Sequence, residues 1–285
     1  MLAKGGTAMT RFEQPRSVAE AASLLAAGDW AVLAGGTDLY PAHVGRPIAR
    51  PVLDLSRIDG LRGIRRSESG WTIGATTTWS DVIRADLPPL FDALKAAARE
   101  IGGVQIQNAG TVAGNVCNAS PAADGMPALL ALGAEVELQS AAETRRLPLA
   151  DFVLGSRRTA RREAELVSAL HIPARGEGAR SVFLKLGGRR YLVISITMVA
   201  VLVELDAGGE VAHAGVAVGS CSAVAKRLPA LEARLLGRDA ATLAACVEPG
   251  DLAPLTPIDD IRASGEYRID ATLTLLRRAL AAFSP

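Results

Sequence analysis

The sequence predicts an α+β protein. Two α/β units, residues 1–58 and 59–175, precede an α+β unit with an antiparallel sheet over 176–285. Three observations predict this. Short apolar segments alternate with capped amphipathic helices as far as Pro173. Val- and Ile-rich runs then follow one another at 181–186, 194–205 and 211–219, the pattern of consecutive antiparallel strands. Between these halves, 174–179 carries two glycines and breaks both patterns.

The elements follow in order. Ser17 to Glu20 reads as a capping box, with Ser17 as N-cap and Glu20 reaching back. Val18, Ala21, Ala22, Leu24 and Leu25 make an apolar helix face that Gly28 ends. Residues 30–34 read as a strand running into Gly35 and Gly36, and 52–55 as another. In the second unit 71–75 reads as a strand and Thr78 to Asp81 as a second capping box. Leu90, Phe91, Leu94, Ala97, Ala98 and Ile101 form a helix face ending at Gly102 and Gly103. Residues 108–124 read as a turn-rich, Ω-like run, 127–132 as a helix, 134–138 and 165–172 as strands. In the third unit 231–236, 240–246 and 267–283 read as helices, the last with Leu273, Leu276 and Leu280 on one face.

Composition narrows the function classes. Nearly half the residues are apolar but only 4% are aromatic, which implies a core of small, closely packed side chains. A net charge of +1 argues against nucleic acid or an anionic membrane as the main partner. The longest apolar stretch, 192–205, is shorter than the ~20 residues of a spanning helix. Residues 1–11 lack the apolar core of a signal peptide, and Met9 is a candidate start, so a cytoplasmic location is expected. Cys117, Cys221 and Cys246 form no Cys-x-x-Cys pair, which excludes a disulfide framework and an iron–sulfur cluster within this chain. Cys117 reads as a small buried residue. His43, His171 and His213 lack metal-type spacing.

Two glycine-rich turns carry the chemistry. The first is Ala34, Gly35, Gly36, Thr37 and Asp38; the second runs through Gly110, Thr111, Val112, Ala113, Gly114 and Asn115. Each bares backbone N–H groups, and together they suit one pyrophosphate of a dinucleotide such as FAD. Either turn alone is equally an ordinary strand-to-helix connection. Around the second, Asn108, Thr111, Asn115, Asn118, Ser120 and Asp124 place six small polar side chains in one run, more than a turn needs. Asp124 is a ribose-hydroxyl acceptor or an N-cap. Neither turn is G-x-G-x-x-G, and no P-loop or G-x-S-x-G elbow is present. Arg157, Arg158, Arg161 and Arg162 form a basic cluster that could dock a partner subunit or an acidic nucleotide, with a solvated loop as the default reading.

These residues resemble the FAD-binding medium subunit of molybdenum hydroxylases, the group of xanthine dehydrogenase and carbon monoxide dehydrogenase. The resemblance spans nearly the whole chain. It rests on Phe12-Glu-Gln-Pro15, Leu33 to Leu39, Gln105 to Asn108, Gly110 to Asn115, Asn118 to Asp124, Phe183 to Gly187 and Arg262 to Arg268. It implies a fold of the PCMH and vanillyl-alcohol oxidase type, with the first two units clasping FAD under the third. It implies that Leu33 to Asp38, Asn108 and Gly110 to Asn115 hold the cofactor, with Asp124 near the ribose. Leu166 and Val167 would contact it through their backbones. Lys185 would sit at the pyrimidine edge, where a cation favours the reduced flavin, or is a solvated strand-end lysine. Tyr191 would cover the isoalloxazine, or is an edge tyrosine. Ala113 stands where the family often has glycine, so its φ should be ordinary, and Gln107 replaces a frequent arginine.

The resemblance further implies a molybdopterin-binding large subunit and a small subunit with two [2Fe–2S] clusters, assembled as a dimer of heterotrimers. Electrons would leave through FAD to an external acceptor, with no catalytic acid or base in this chain. Two other readings remain open at this stage: a stand-alone flavin oxidoreductase of the PCMH type, and an assembly subunit that has lost FAD.

Overall fold

The computed structural model describes residues 11–284; the reading of Met9 as the start lies outside them. The first sheet is parallel. Strand β1 (Phe12–Glu13) precedes helix α1 (Val18–Ala27), β2 (Ala31–Leu33) and β3 (Val52–Asp54), in the order β1-β3-β2. Ser17 caps α1 through the Glu20 N–H at 3.1 Å, while Glu20 reaches back to the Arg16 N–H rather than to the cap itself. Ala21, Ala22, Leu25, Trp30, Leu53 and Leu55 form a small core.

The next layer begins with β4 (Ile64–Ser67), β5 (Gly70–Gly74) and α2 (Trp79–Arg84), whose capping box on Thr78 and Asp81 is complete. A 3-10 turn at Pro89–Phe91 leads into α3 (Asp92–Glu100). Then come α4 (Val104–Ala109), α5 (Val112–Asn118) and α6 (Gly125–Ala131). Helix α5 therefore occupies the middle of the run expected to be turn-rich over 108–124, which stays non-helical at 110–111 and 119–124. β6 (Glu135–Gln139), β7 (Thr144–Pro148), α7 (Leu149–Phe152), the hairpin β8 (Val153–Gly155) and β9 (Arg158–Thr159), and β10 (Leu166–Pro173) complete it. The sheet runs β4-β5-β10-β6-β7 and is antiparallel throughout. The first residue of β10, Leu166, is buried in the first core beside Trp30 and Leu53, and so joins the two layers.

The third layer is an antiparallel sheet of β11 (Ala179–Gly187), β12 (Ser195–Leu205), β13 (Val211–Gly219) and β14 (Lys226–Arg227), followed by α8 (Pro229–Leu235) and α9 (Gly265–Ala281). Residues 240–246 form a 3-10 rather than an α-helix. Strand β12 has no solvated face. Met198, Ala200 and Leu202 face the core of the second layer, whereas Val199, Val201 and Val203 face the core under α8 and α9. Burial on both sides explains why this strand reads as a continuous apolar run.

Candidate functional site

The two glycine motifs meet backbone to backbone. A β-carbon placed on Gly35 would lie 1.8 Å from the Ala109 carbonyl oxygen, so only glycine permits this approach. Gly36 is required for a different reason: its φ is +71°, a conformation that costs other residues about 1 kcal/mol.

The second motif is a helix start, not the open turn read from the sequence. Thr111 is the N-cap of α5, and its hydroxyl accepts from the Gly114 N–H at 3.0 Å. Thr78 and Thr111 form an antiparallel bridge between the starts of α2 and α5. The Val112 N–H donates to the Thr77 carbonyl at 2.9 Å and the Trp79 N–H to the Gly110 carbonyl at 3.1 Å. Ala113 lies inside α5 with ordinary helical backbone, as its substitution for glycine requires.

A cleft of about 590 Å³ opens between the motifs. Its walls include Leu33, Ala34, Gly35, Gly36, Thr37 and Asp38 from the first motif. Gly110, Thr111, Ala113, Gly114 and Asn115 line it from the second, and Leu166 and Val167 from the start of β10. Val112 turns inward and is fully buried. Asn108 is turned to Ser80, whose hydroxyl donates to its Oδ1 at 2.6 Å.

Asp124, Lys185 and Tyr191 are not among the lining residues. Lys185 on β11 is not a solvated strand-end lysine. It donates to Asp124 Oδ2 at 2.7 Å, with both side chains under 10% exposed, and the Ser195 hydroxyl donates to Asp124 Oδ1 at 2.6 Å. Asp124 precedes α6 without making a side-chain capping bond. Burial pushes its carboxyl above the usual range, against the opposing pull of Lys185. The triad fastens the second layer to the third. Tyr191 lies in the loop between β11 and β12, 64% exposed, with the Arg190 guanidinium 5.1 Å from its ring centroid.

The structure adds residues that the sequence reading left out. Arg157 and Arg161, expected in a solvated loop, line the cleft. Arg157 pairs with Asp38, and Arg161 donates to the carbonyls of Arg162, Glu163 and Glu165. The basic cluster was visible, but its partners are distant in sequence or on the backbone. Cys117 is exposed and lines the cleft, contrary to the expectation of a buried thiol. Glu165, almost fully buried, is held below the usual carboxyl range by two hydrogen bonds from Arg145.

The residues present fit a dinucleotide. Asn115 lines the cleft, and its Oδ1 is buried at the foot of α6 with no hydrogen-bond partner. An unpaired amide there suits a ligand hydroxyl, which both donates and accepts. Gly35 and Gly36 keep side chains out of the cradle beside it. Among the described residues no group of three or more His, Cys, Asp or Glu is placed to hold a metal, and no helix is long and apolar enough to cross a membrane.

Comparison with known proteins agrees with this geometry. Residues 8–175 match the family described as the FAD binding domain in molybdopterin dehydrogenase, and residues 183–283 the CO dehydrogenase flavoprotein C-terminal domain. The chain is 32% identical over 283 residues to the carbon monoxide dehydrogenase medium chain of Hydrogenophaga pseudoflava, covering 95% of this chain and 96% of that one. It is 30% identical over 276 residues to the xanthine dehydrogenase FAD-binding subunit of Escherichia coli O157:H7, covering 94% of each. A solved structure of carbon monoxide dehydrogenase from H. pseudoflava, lacking the Mo-pyranopterin moiety of its cofactor, superposes with a TM-score of 0.83 at 29% identity, covering 96% of both chains. By motif, sequence and fold alike, the chain belongs to the FAD-binding medium subunits of the molybdenum hydroxylases, a family of oxidoreductase subunits.

Proposed function

We propose that this chain is the electron-exit subunit of a three-part molybdenum hydroxylase. A molybdopterin-binding large subunit would oxidise the substrate, and a small subunit with two [2Fe–2S] clusters would relay electrons to this chain. The assembly would be a cytoplasmic dimer of heterotrimers. Bound FAD supplies the ability to take electrons one at a time and hand them to an external acceptor.

The chain's own residues bind and shield. Leu33 to Asp38 and Gly110 to Asn115 form the two sides of the cradle, with the Asn115 amide directed at a cofactor hydroxyl. Leu166 and Val167 close it with apolar surface. Val112 and Asn108 act indirectly, the first by anchoring α5 in the core and the second by tying α4 to α2 through Ser80. Lys185, neutralised by Asp124, presents a buried hydrogen-bond donor at the junction with the third unit, and Tyr191 is exposed for covering the flavin. We take the units as 1–58, 59–175 and 176–285.

The observation that carries this reading is the contact of Gly35 with the Ala109 carbonyl, which brings the two motifs together around one cleft. The test is an absorption spectrum of the purified chain, followed by acid precipitation and chromatography of the supernatant. FAD in the supernatant, and co-purification with a large and a small partner, support the proposal. Flavin retained in the pellet would favour a stand-alone oxidase with a covalent anchor, for which Cys117 is placed in the cleft. A colourless chain that takes up no added FAD, alone or with its partners, would overturn both.

A further inference from the structure

We propose that Arg157 is a positioning residue for the cofactor's diphosphate, acting by neutralising Asp38 inside the glycine cradle. This rests on the FAD reading above. The two residues lie 119 positions apart and meet at the cleft. Arg157 Nη1 donates to Asp38 Oδ2 at 3.1 Å and Nη2 to Oδ1 at 3.3 Å, a fork-to-fork pair. Nη1 also donates to Asn118 Oδ1 at 3.0 Å, and the Arg157 N–H donates to the Ala119 carbonyl at 3.1 Å. The guanidinium is thereby held between the end of the first motif and the end of α5. Its backbone has φ 55°, a costly conformation for a residue with a side chain, at the tip of the β8–β9 hairpin.

The chemistry needs such a group. Asp38 directly follows the Gly-Gly-Thr turn, so an uncompensated carboxylate would face a diphosphate carrying two negative charges. The other charged residues that line the cleft are committed elsewhere. Glu165 has Arg145, Arg50 has Asp29, and Arg161 is held by three carbonyls. Arg157 is the lining cation whose ion-pair partner sits in the glycine turn. Both side chains are about half exposed or more, so the effect should be modest and sensitive to salt.

A purely structural tie and a charge-compensating one differ in the sign of a single variant. Breaking a tie from either end should loosen the cleft, so Arg157→Gln and Asp38→Asn would both speed FAD release. Under charge compensation Asp38→Asn removes the repulsion and leaves Arg157 to face the diphosphate alone. The experiment loads the full chain with FAD and follows the rise in flavin fluorescence on dilution, at low salt and at about 0.5 M salt. Arg157→Gln should release FAD about fivefold faster at low salt, falling to about twofold at high salt. Asp38→Asn should release it about twofold more slowly than wild type, and the double variant should fall between the singles. Faster release from Asp38→Asn, or no recovery in the double variant, overturns the proposal. If Arg157→Gln does not fold, Asp38→Asn alone still decides the sign. A wild-type chain that never retains FAD overturns the parent reading, and this proposal with it; retention with the wrong sign overturns this proposal alone.

Discussion

Replacing Gly35 by alanine tests the contact on which the cofactor reading stands. The added methyl would lie 1.8 Å from the Ala109 oxygen, about 1.2 Å closer than real contacts allow, and 2.6 Å from its carbonyl carbon. Both obstacles are backbone, so no side chain can rotate away. The motifs must separate by about 1 Å, an overpacking strain of roughly 1–3 kcal/mol. Without ligand the cleft relieves that strain by opening. Binding FAD requires it to close again, so the cost should appear in affinity more than in the melting temperature of the apoprotein. At about 1.4 kcal/mol per tenfold, Gly35→Ala should weaken FAD binding by about tenfold to a hundredfold. Gly36→Ala is the internal comparison. Its methyl meets side chains alone, the ring of Tyr40, which is exposed and can move, and Leu33 Cδ1 at 3.3 Å, and its φ of +71° costs about 1 kcal/mol, or about fivefold. The assay is fluorescence titration of each apoprotein with FAD, beside thermal melts. Gly35→Ala binding within twofold of wild type, or Gly36→Ala proving the weaker of the two, would refute the idea that the two motifs close jointly on the cofactor.

Two further predictions concern protonation. Lys185→Met strips the partner from a buried carboxylate whose acidity burial already weakens, and a broken buried pair costs about 3–5 kcal/mol. The Asp124 pKa should then rise further, so the penalty is full above that raised value and fades as falling pH protonates Asp124. The melting-temperature deficit of Lys185→Met should be larger at pH 8 than at pH 5, and adding Asp124→Asn should flatten it; a pH-independent deficit would contradict this. Asp260 is held at about 2 by the Arg262 N–H, then by the Arg262 side chain and Arg268. Its folded value lies below the ordinary 3.8, so its contribution is present above that pH and is lost as pH falls toward 2. Asp260→Asn should therefore melt below wild type at pH 5 and converge with it near pH 2, as read by circular dichroism; parallel curves would refute the assignment.

The legible parts of this fold are those whose physics is local. Capping at Ser17 and Thr78 and the apolar run of β12 are written in adjacent residues, and the structure reproduces them. The helical part of the run over 108–124 misled because Gly and Asn are weak helix formers. It is helical because tertiary contacts supply what propensity lacks: a Thr111 cap, the Thr78 bridge and Val112 anchored in the core. Strands β4 and β7 escaped because their cores read Arg-Arg. They are the two outer strands of their sheet, where charge discourages pairing with other chains. In the site, the lining glycines were readable one by one. That Asp38 belongs to Arg157, and Lys185 to Asp124, was not, since these pairs span 119 and 61 positions.

The ties between layers are unequal, and the inequality bears on what a cofactor adds. The second and third layers share a core that includes Phe183, Met198, Ala200, Leu202 and Ala217, reinforced by the buried Lys185–Asp124–Ser195 triad. Apolar burial of that extent is worth far more than an exposed ion pair. The first and second layers meet through Leu166, the backbone contact at Gly35 and the exposed Arg157–Asp38 pair. A dinucleotide held by both glycine motifs would cross this second junction, where the chain's own contacts bury less apolar surface than at the first. Ligand bound only to the closed form stabilises it in proportion to the logarithm of its concentration over Kd. FAD held in that cradle would therefore act as a structural link between the first two layers as well as the carrier of the chemistry.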